Sequence, residues 1–152
     1  MKQRNYVRNP IKVAITGRIG TGKTTICTLL KKEGFQVFES DKEVRKLLTR
    51  KNVKEKIFTL FSKKIRSLSD EKGNLNRKVL GNFLFSKKAE LNKVEKILYP
   101  LLEIEKKKFL TRNCNKSCLF FDIPLLFEKK LHNTLDKIIY LKVDKKFKNR
   151  EY

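Results

Sequence analysis

Residues 11–16 (IKVAIT) form a short β-branched, apolar run that ends in a cluster of glycines, the pattern of a buried strand running into a loop. After Lys23 the period changes. Ile26, Leu29 and Leu30 recur at helical spacing and Gly34 closes the segment, so strand, loop and helix are predicted in succession. Residues 35–39 (FQVFE) predict a second short strand, with Ser40 or Asp41 placed to cap the helix begun by KEVRKLL. From about 52 to 112, Val53, Ile57, Leu60 and Phe61, then Leu91, Val94, Leu98, Leu101 and Leu102, recur at threes and fours and predict a mostly helical segment. Its one clear break is the loop SLSDEKGN at 67–74. Compact apolar runs return at 117–123 (SCLFFDI) and 137–143 (KIIYLKV). Strands separated by helical stretches argue for an α/β fold, with a parallel sheet and helices on its faces. There is no internal repeat and no low-complexity linker.

A chain of 152 residues suits one domain, 1–152, with the helical segment (about 43–112) inside it. Apolar residues of the AVILMFWYC group make up 39%, enough to offset chain entropy and exclude a disordered class. The 38 Lys plus Arg against 16 Asp plus Glu leave a net charge of +22, which raises a polyanion partner. The lysines are spread along the whole chain and no nucleic-acid module accompanies them, so ordinary solvated lysines explain the charge and no dedicated nucleic-acid partner is expected. Cys27, Cys114 and Cys118 with a single His make no convincing zinc set; isolated thiols in a reducing compartment fit better. The basic start MKQRNYVRNPIK lacks the apolar core of a signal peptide and no 18-residue apolar span follows, so a cytoplasmic protein without a membrane partner is expected. Oligomeric state is not legible.

The glycine cluster carries the chemistry. Gly17-x-x-x-x-Gly22-Lys23-Thr24 fits the P-loop pattern, with the strand before it and the helix after it that the pattern requires. Glycines let the backbone N–H groups converge on phosphates, the helix N-terminus adds its positive end, Lys23 reaches the β and γ phosphates, and the Thr24 hydroxyl can ligate Mg²⁺. The expected nucleotide-binding set is Gly17, Gly20, Thr21, Gly22, Lys23, Thr24 and Thr25, for ATP with Mg²⁺; Arg18 and Ile19, the variable interior of the loop, are assigned no chemistry. Acidic groups follow at strand ends, Glu39 and Asp41 after the second strand and Asp122 after the third, where open α/β sheets place their ligand crevice. Glu39 and Asp41 share a face if that strand persists. Asp122 joins Thr24 as a candidate metal ligand. Asp41 has two readings, a helix N-cap or a catalytic base, and the neighbouring P-loop favours the second.

Taken in order, TGRIGTGKTT (16–25), GFQVFESD (34–41), KGNLNRKVLGNFLF (72–85), VEKILYPLLEIE (94–105) and DIPLLFE (122–128) resemble the dephospho-coenzyme A kinase family over about residues 11–144. The resemblance implies a P-loop kinase-like three-layer α/β sandwich with a parallel sheet and a helical acceptor-binding insertion. It implies transfer of the γ-phosphoryl of ATP to the ribose 3′-hydroxyl of dephospho-CoA, the last step of coenzyme A synthesis. Asp41 would accept the hydroxyl proton, with Lys23 and Arg77 as the other catalytic groups. Arg77 would be a fixed cation near the acceptor and its phosphates; a solvated arginine is the alternative. Tyr99, Pro124, Leu125, Leu126 and Glu128 would join Asp41 and Arg77 around the acceptor, and Phe127 would help shape its pocket, plain core being the alternative for the apolar members.

Three departures from the family stand out. Glu39 occupies a position where the family usually has Asp, and Tyr99 one where it usually has His before Pro100. The chain ends at Tyr152, where the family continues into a lid with arginines and a further strand; lid and last strand are expected to be missing, with Arg150 at most a first lid arginine. Loss of lid arginines would cost on the order of 10³-fold in rate. A shortened relative, a fragment of a longer reading frame, another small-molecule or nucleoside monophosphate kinase, and a non-catalytic nucleotide-binding remnant all stay open on the sequence.

Overall fold

The computed structural model describes residues 9–123 and 135–142. Two compact units divide the chain, one formed by residues 1–41 with 108–152 and the other by 42–107.

The first unit is built on a parallel sheet of strands β1 (Ile11–Gly17), β2 (Gln36–Glu39), β3 (Cys118–Asp122) and β4 (Lys137–Leu141), in the order β2-β3-β1-β4. β1 and β3, buried in the middle, are accordingly the near-continuous apolar runs of the sequence. Alternation along the strands sends Val13, Ile15, Phe120 and Val37 to one face, where Cys27, Ile26 and Leu30 of helix α1 (Lys23–Lys32) pack on them. On β2 and β3, Phe38 and Phe121 meet Phe109, near the end of helix α5 (Lys88–Arg112), with ring centroids 5.4 and 5.7 Å from that ring. Helical residues thus contact the sheet residues on both faces, as the three-layer α/β expectation required. Gly34 ends α1 as the sequence suggested. It adopts φ +84°, with its N–H bonded to Lys31 O and the N–H of Phe35 to Leu30 O, so two otherwise orphaned carbonyls are satisfied.

The second unit is helical: most of α2 (Ser40–Leu47), then α3 (Lys51–Phe61), α4 (Arg77–Phe85) and most of α5. Its core gathers the apolar positions spaced at threes and fours, among them Leu47, Val53, Ile57, Phe61, Leu80, Leu84, Val94 and Leu98. The break in 67–74 is a built turn. Asp70 Oδ1 accepts the N–H groups of Lys72 and Asn74 at 3.0 and 2.7 Å, Gly73 takes a positive φ, and Ser69 bridges Leu75. Pro100 lies inside α5, where its ring leaves one helical N–H bond unmade.

The condition for Glu39 and Asp41 to share a strand face is not met, and the strand ends where the apolar run did. The second strand stops at Glu39, and α2 starts at Ser40, so Asp41 stands within the first turn of a helix instead of following Glu39 along a strand face. Among the described residues β2 pairs only with β3, in a ladder whose last pair is Glu39 with Asp122. Beyond that pair no strand partner follows among the described residues, and the chain turns directly into helix.

Candidate functional site

The site grows from the end of β1. Gly17 is the last residue of the strand and pairs with Leu141 of β4; a side-chain carbon there would stand 2.5 Å from the Leu141 carbonyl oxygen. Only glycine lets the loop leave the sheet this close to its neighbour. Residues 18–22 then curl back to α1. Gly20 and Gly22 both take positive φ, +80° and +84°, and among the described residues no atom other than those of their chain neighbours lies within 4 Å of where their side chains would be, so there is unfilled space beside the loop at these two positions. The loop is braced from within: Thr21 donates its hydroxyl to Arg18 O at 2.8 Å, and Lys23 Nζ donates to Gly17 O at 2.6 Å and Arg18 O at 3.0 Å.

Helix α1 meets that space with its N-terminus uncapped. Gly22 offers no side-chain cap and the first turn carries no acidic residue, while Lys31 and Lys32 occupy the last turn. The free N–H groups and the positive end of the dipole are therefore directed to an anion. Thr24 and Thr25, in that first turn, are exposed.

At the same carboxyl edge of the sheet, Asp122 closes β3 in register with Ile15 on one side and Glu39 on the other. The chain passes from β1 to β2 beyond β3, and from β3 to β4 beyond β1, so the gap between β1 and β3 is the switch point where open α/β sheets bind ligands. Oδ1 of Asp122 is buried. Glu39, half-buried, is ion-paired with Lys31 of α1. Asp41 is exposed, two residues past the strand end.

Gly17, Gly20, Thr21, Gly22, Lys23, Thr24, Thr25, Asp41 and Asp122 thus belong to the first unit, the loop and the strand ends at one edge of its sheet. Arg77 and Tyr99 belong to the second. Arg77 opens α4, presented by Asn76, whose Oδ1 accepts the Val79 N–H at 3.2 Å, and it is exposed. Tyr99 donates its hydroxyl to Glu95 Oε1 at 2.7 Å, one turn earlier on α5. Pro124, Leu125, Leu126, Phe127, Glu128 and Arg150 lie outside the described residues. Sequence reasoning missed the Lys31–Glu39 pair and the tight fit of Gly17 against Leu141. Neither leaves a local signal, because each depends on which strands are neighbours.

A phosphate loop between β1 and α1, at the switch point of a parallel sheet, defines a P-loop protein of the kinase type. Comparison with known proteins narrows the class. The family model described as dephospho-CoA kinase matches residues 11–150, and the chain belongs to that family. It is 35% identical to a dephospho-CoA kinase of Fusobacterium nucleatum over 84% of this chain and 64% of that one, and 35% identical to one of Clostridium tetani over 95% and 66%. A crystal structure from Thermus thermophilus superimposes with a TM-score of 0.76 at 30% identity, over 88% of this chain and 66% of that one. A dephospho-CoA kinase from Campylobacter jejuni, 22% identical, shares the fold with a TM-score of 0.64 over 85% and 64%. The chain spans just under two thirds of the length of these relatives.

Proposed function

We propose that this chain transfers the γ-phosphoryl of ATP to the ribose 3′-hydroxyl of dephospho-CoA, yielding coenzyme A and ADP. The carrying observation is the glycine loop at the uncapped start of α1, with Lys23 tied to its first two carbonyls, in a chain of the dephospho-CoA kinase family. Phosphoryl transfer asks little covalent chemistry of a protein; it asks for positioning and for positive charge around three equatorial oxygens. Gly17, Gly20, Thr21, Gly22, Thr24 and Thr25 supply loop and helix-start donors to the phosphates, and Lys23 leaves the loop carbonyls for the β and γ phosphates. Asp41, exposed and free to approach a hydroxyl, accepts the acceptor's proton. Arg77, at the exposed start of α4, acts on the acceptor's phosphates with its planar fork. Tyr99, Pro124, Leu125, Leu126 and Glu128 complete the acceptor-binding set on the family resemblance, within one domain.

The donor set suits magnesium. Thr24 and Asp122 offer a hydroxyl and a carboxylate, both hard oxygens, and among the described residues no cluster of three or more His, Cys, Asp or Glu competes for a softer or more fully protein-bound metal. Mg²⁺, when bound, neutralises charge on the β and γ phosphates; Thr24 and Asp122 are the residues that would hold it. No helix among the described residues is long and apolar enough to cross a membrane, and Cys114 and Cys118 are free thiols. A cytoplasmic, reducing location is part of this reading.

The test is direct. Purified protein with ATP, Mg²⁺ and dephospho-CoA should release ADP and coenzyme A in equal amounts, resolved by chromatography and mass. ADP formed only with a nucleoside monophosphate or another small acceptor would move the reading to a different P-loop kinase. Binding of ATP without any transfer would leave a nucleotide-binding protein.

A further inference from the structure

We infer that Arg18, in the variable interior of the phosphate loop, supplies a second cation to the polyphosphate of the bound nucleotide. The inference rests on the nucleotide-binding half of the proposed function and is independent of the acceptor. Its basis is the way the loop holds this residue. In the nucleotide-free protein three donors converge on the Arg18 carbonyl, the Thr21 N–H at 3.3 Å, the Thr21 hydroxyl at 2.8 Å and Lys23 Nζ at 3.0 Å, and the two from Thr21 remain when Lys23 turns to the phosphates. Behind it Gly17 is locked to β4 at Leu141. The Arg18 backbone is therefore among the most restrained parts of the loop, while its side chain is exposed and makes no hydrogen bond or ion pair among the described residues.

This is an arrangement for a ligand. A restrained backbone limits the entropy lost when the side chain engages, and a guanidinium with no competing carboxylate is available for a bidentate contact to phosphate oxygens. Lys23, the other cation of the loop, is held in the free protein by hydrogen bonds to two carbonyls that it must give up to reach a phosphate. Arg18 has no such engagement and would act on an approaching polyanion first. Its role is also specific to charge: nothing in the core depends on its side chain, so removing it should leave the fold alone.

The experiment measures ATP and ADP affinity by fluorescence of N-methylanthraniloyl nucleotides on the full chain, for wild type, Arg18→Ala, Arg18→Gln and Arg18→Lys. Loss of a charge-assisted bidentate contact predicts about a 10-fold or greater weakening of ATP for Ala and Gln, with Lys in between because it keeps the charge and loses the fork. The urea midpoint should stay at the wild-type value in all three, which separates a ligand contact from a structural one. Gln, polar but uncharged, serves if Ala disturbs the loop. Wild-type ATP affinity in both Ala and Gln variants overturns the inference. Failure of the wild type to bind ATP overturns it together with the nucleotide reading, whereas ATP binding without phosphorylation of dephospho-CoA removes only the acceptor.

Discussion

Replacing Gly17 with alanine tests the geometry from which the whole phosphate loop departs. The new carbon would stand 2.5 Å from the carbonyl oxygen of Leu141, 2.8 Å from Thr21 Oγ1 and 3.2 Å from Leu141 Cβ. An ordinary carbon–oxygen approach is about 3.3 Å or more, so roughly 0.8 Å must be absorbed at the closest contact. Neither neighbour yields cheaply. The Leu141 oxygen is backbone of a strand laddered to β1, and the Thr21 hydroxyl is held by Arg18 O at 2.8 Å. Overpacking of this kind costs about 1–3 kcal/mol, and a non-glycine residue at a positive φ adds about 1–3 kcal/mol. Together, about 2–6 kcal/mol is set against a total stability of about 5–15 kcal/mol for a domain. With a urea slope of about 1–3 kcal/mol per molar, the midpoint should fall by about 1–3 M, read by circular dichroism. Gly34→Ala is the matched comparison. Its φ is +84° but no atom lies within 4 Å of the new carbon, so it should show only the strain and a loss of about 1–2 kcal/mol. Equal midpoints for the two variants would show that Gly17 does not sit against β4 as described.

Lys23→Ala removes the loop's bracing cation and should lower turnover with dephospho-CoA by at least about 10²-fold in a coupled ADP assay, with weaker ATP binding. Asp41→Asn should lower kcat by about 10²–10⁴-fold and leave ATP affinity close to wild type, since the residue is exposed and outside the loop; unchanged turnover would remove the base assignment. Cys114 is exposed, Cys118 is partly buried with its thiol pKa raised by that burial, and Cys27 is buried, so iodoacetamide at pH 8 should label them in that order by mass spectrometry. The hydrogen bonds from Lys64 and Lys93 hold the Glu90 carboxyl below its ordinary value. A lowered folded-state pKa stabilises above the unfolded value and is lost as pH falls through the folded one, so the urea midpoint should drop below about pH 4 by less in Glu90→Gln than in wild type.

The phosphate loop was legible because it is local: a β-branched run, four spaced positions and a helix start lie within fifteen residues and need no distant partner. Most of the helices were legible for the same reason, through the period of their buried positions. Strand order was not, since β2, β3 and β4 are comparable apolar runs and nothing in any one of them says which neighbours β1. The consequences fell on the carboxylates. Glu39 looked like a partner of Asp41 because alternation along a continuing strand would have aligned them. The ladder with β3 ends at Asp122, so the strand ends at Glu39, the helix takes Asp41, and Glu39 turns to Lys31 across the sheet-helix packing. Had β2 lain in the sheet centre, a second neighbour could have carried the ladder further and kept the two acids on one face. Its place at the edge of the sheet therefore decides which carboxylate is ion-paired to α1 and which is exposed at the start of α2, a distinction that pattern and composition cannot carry.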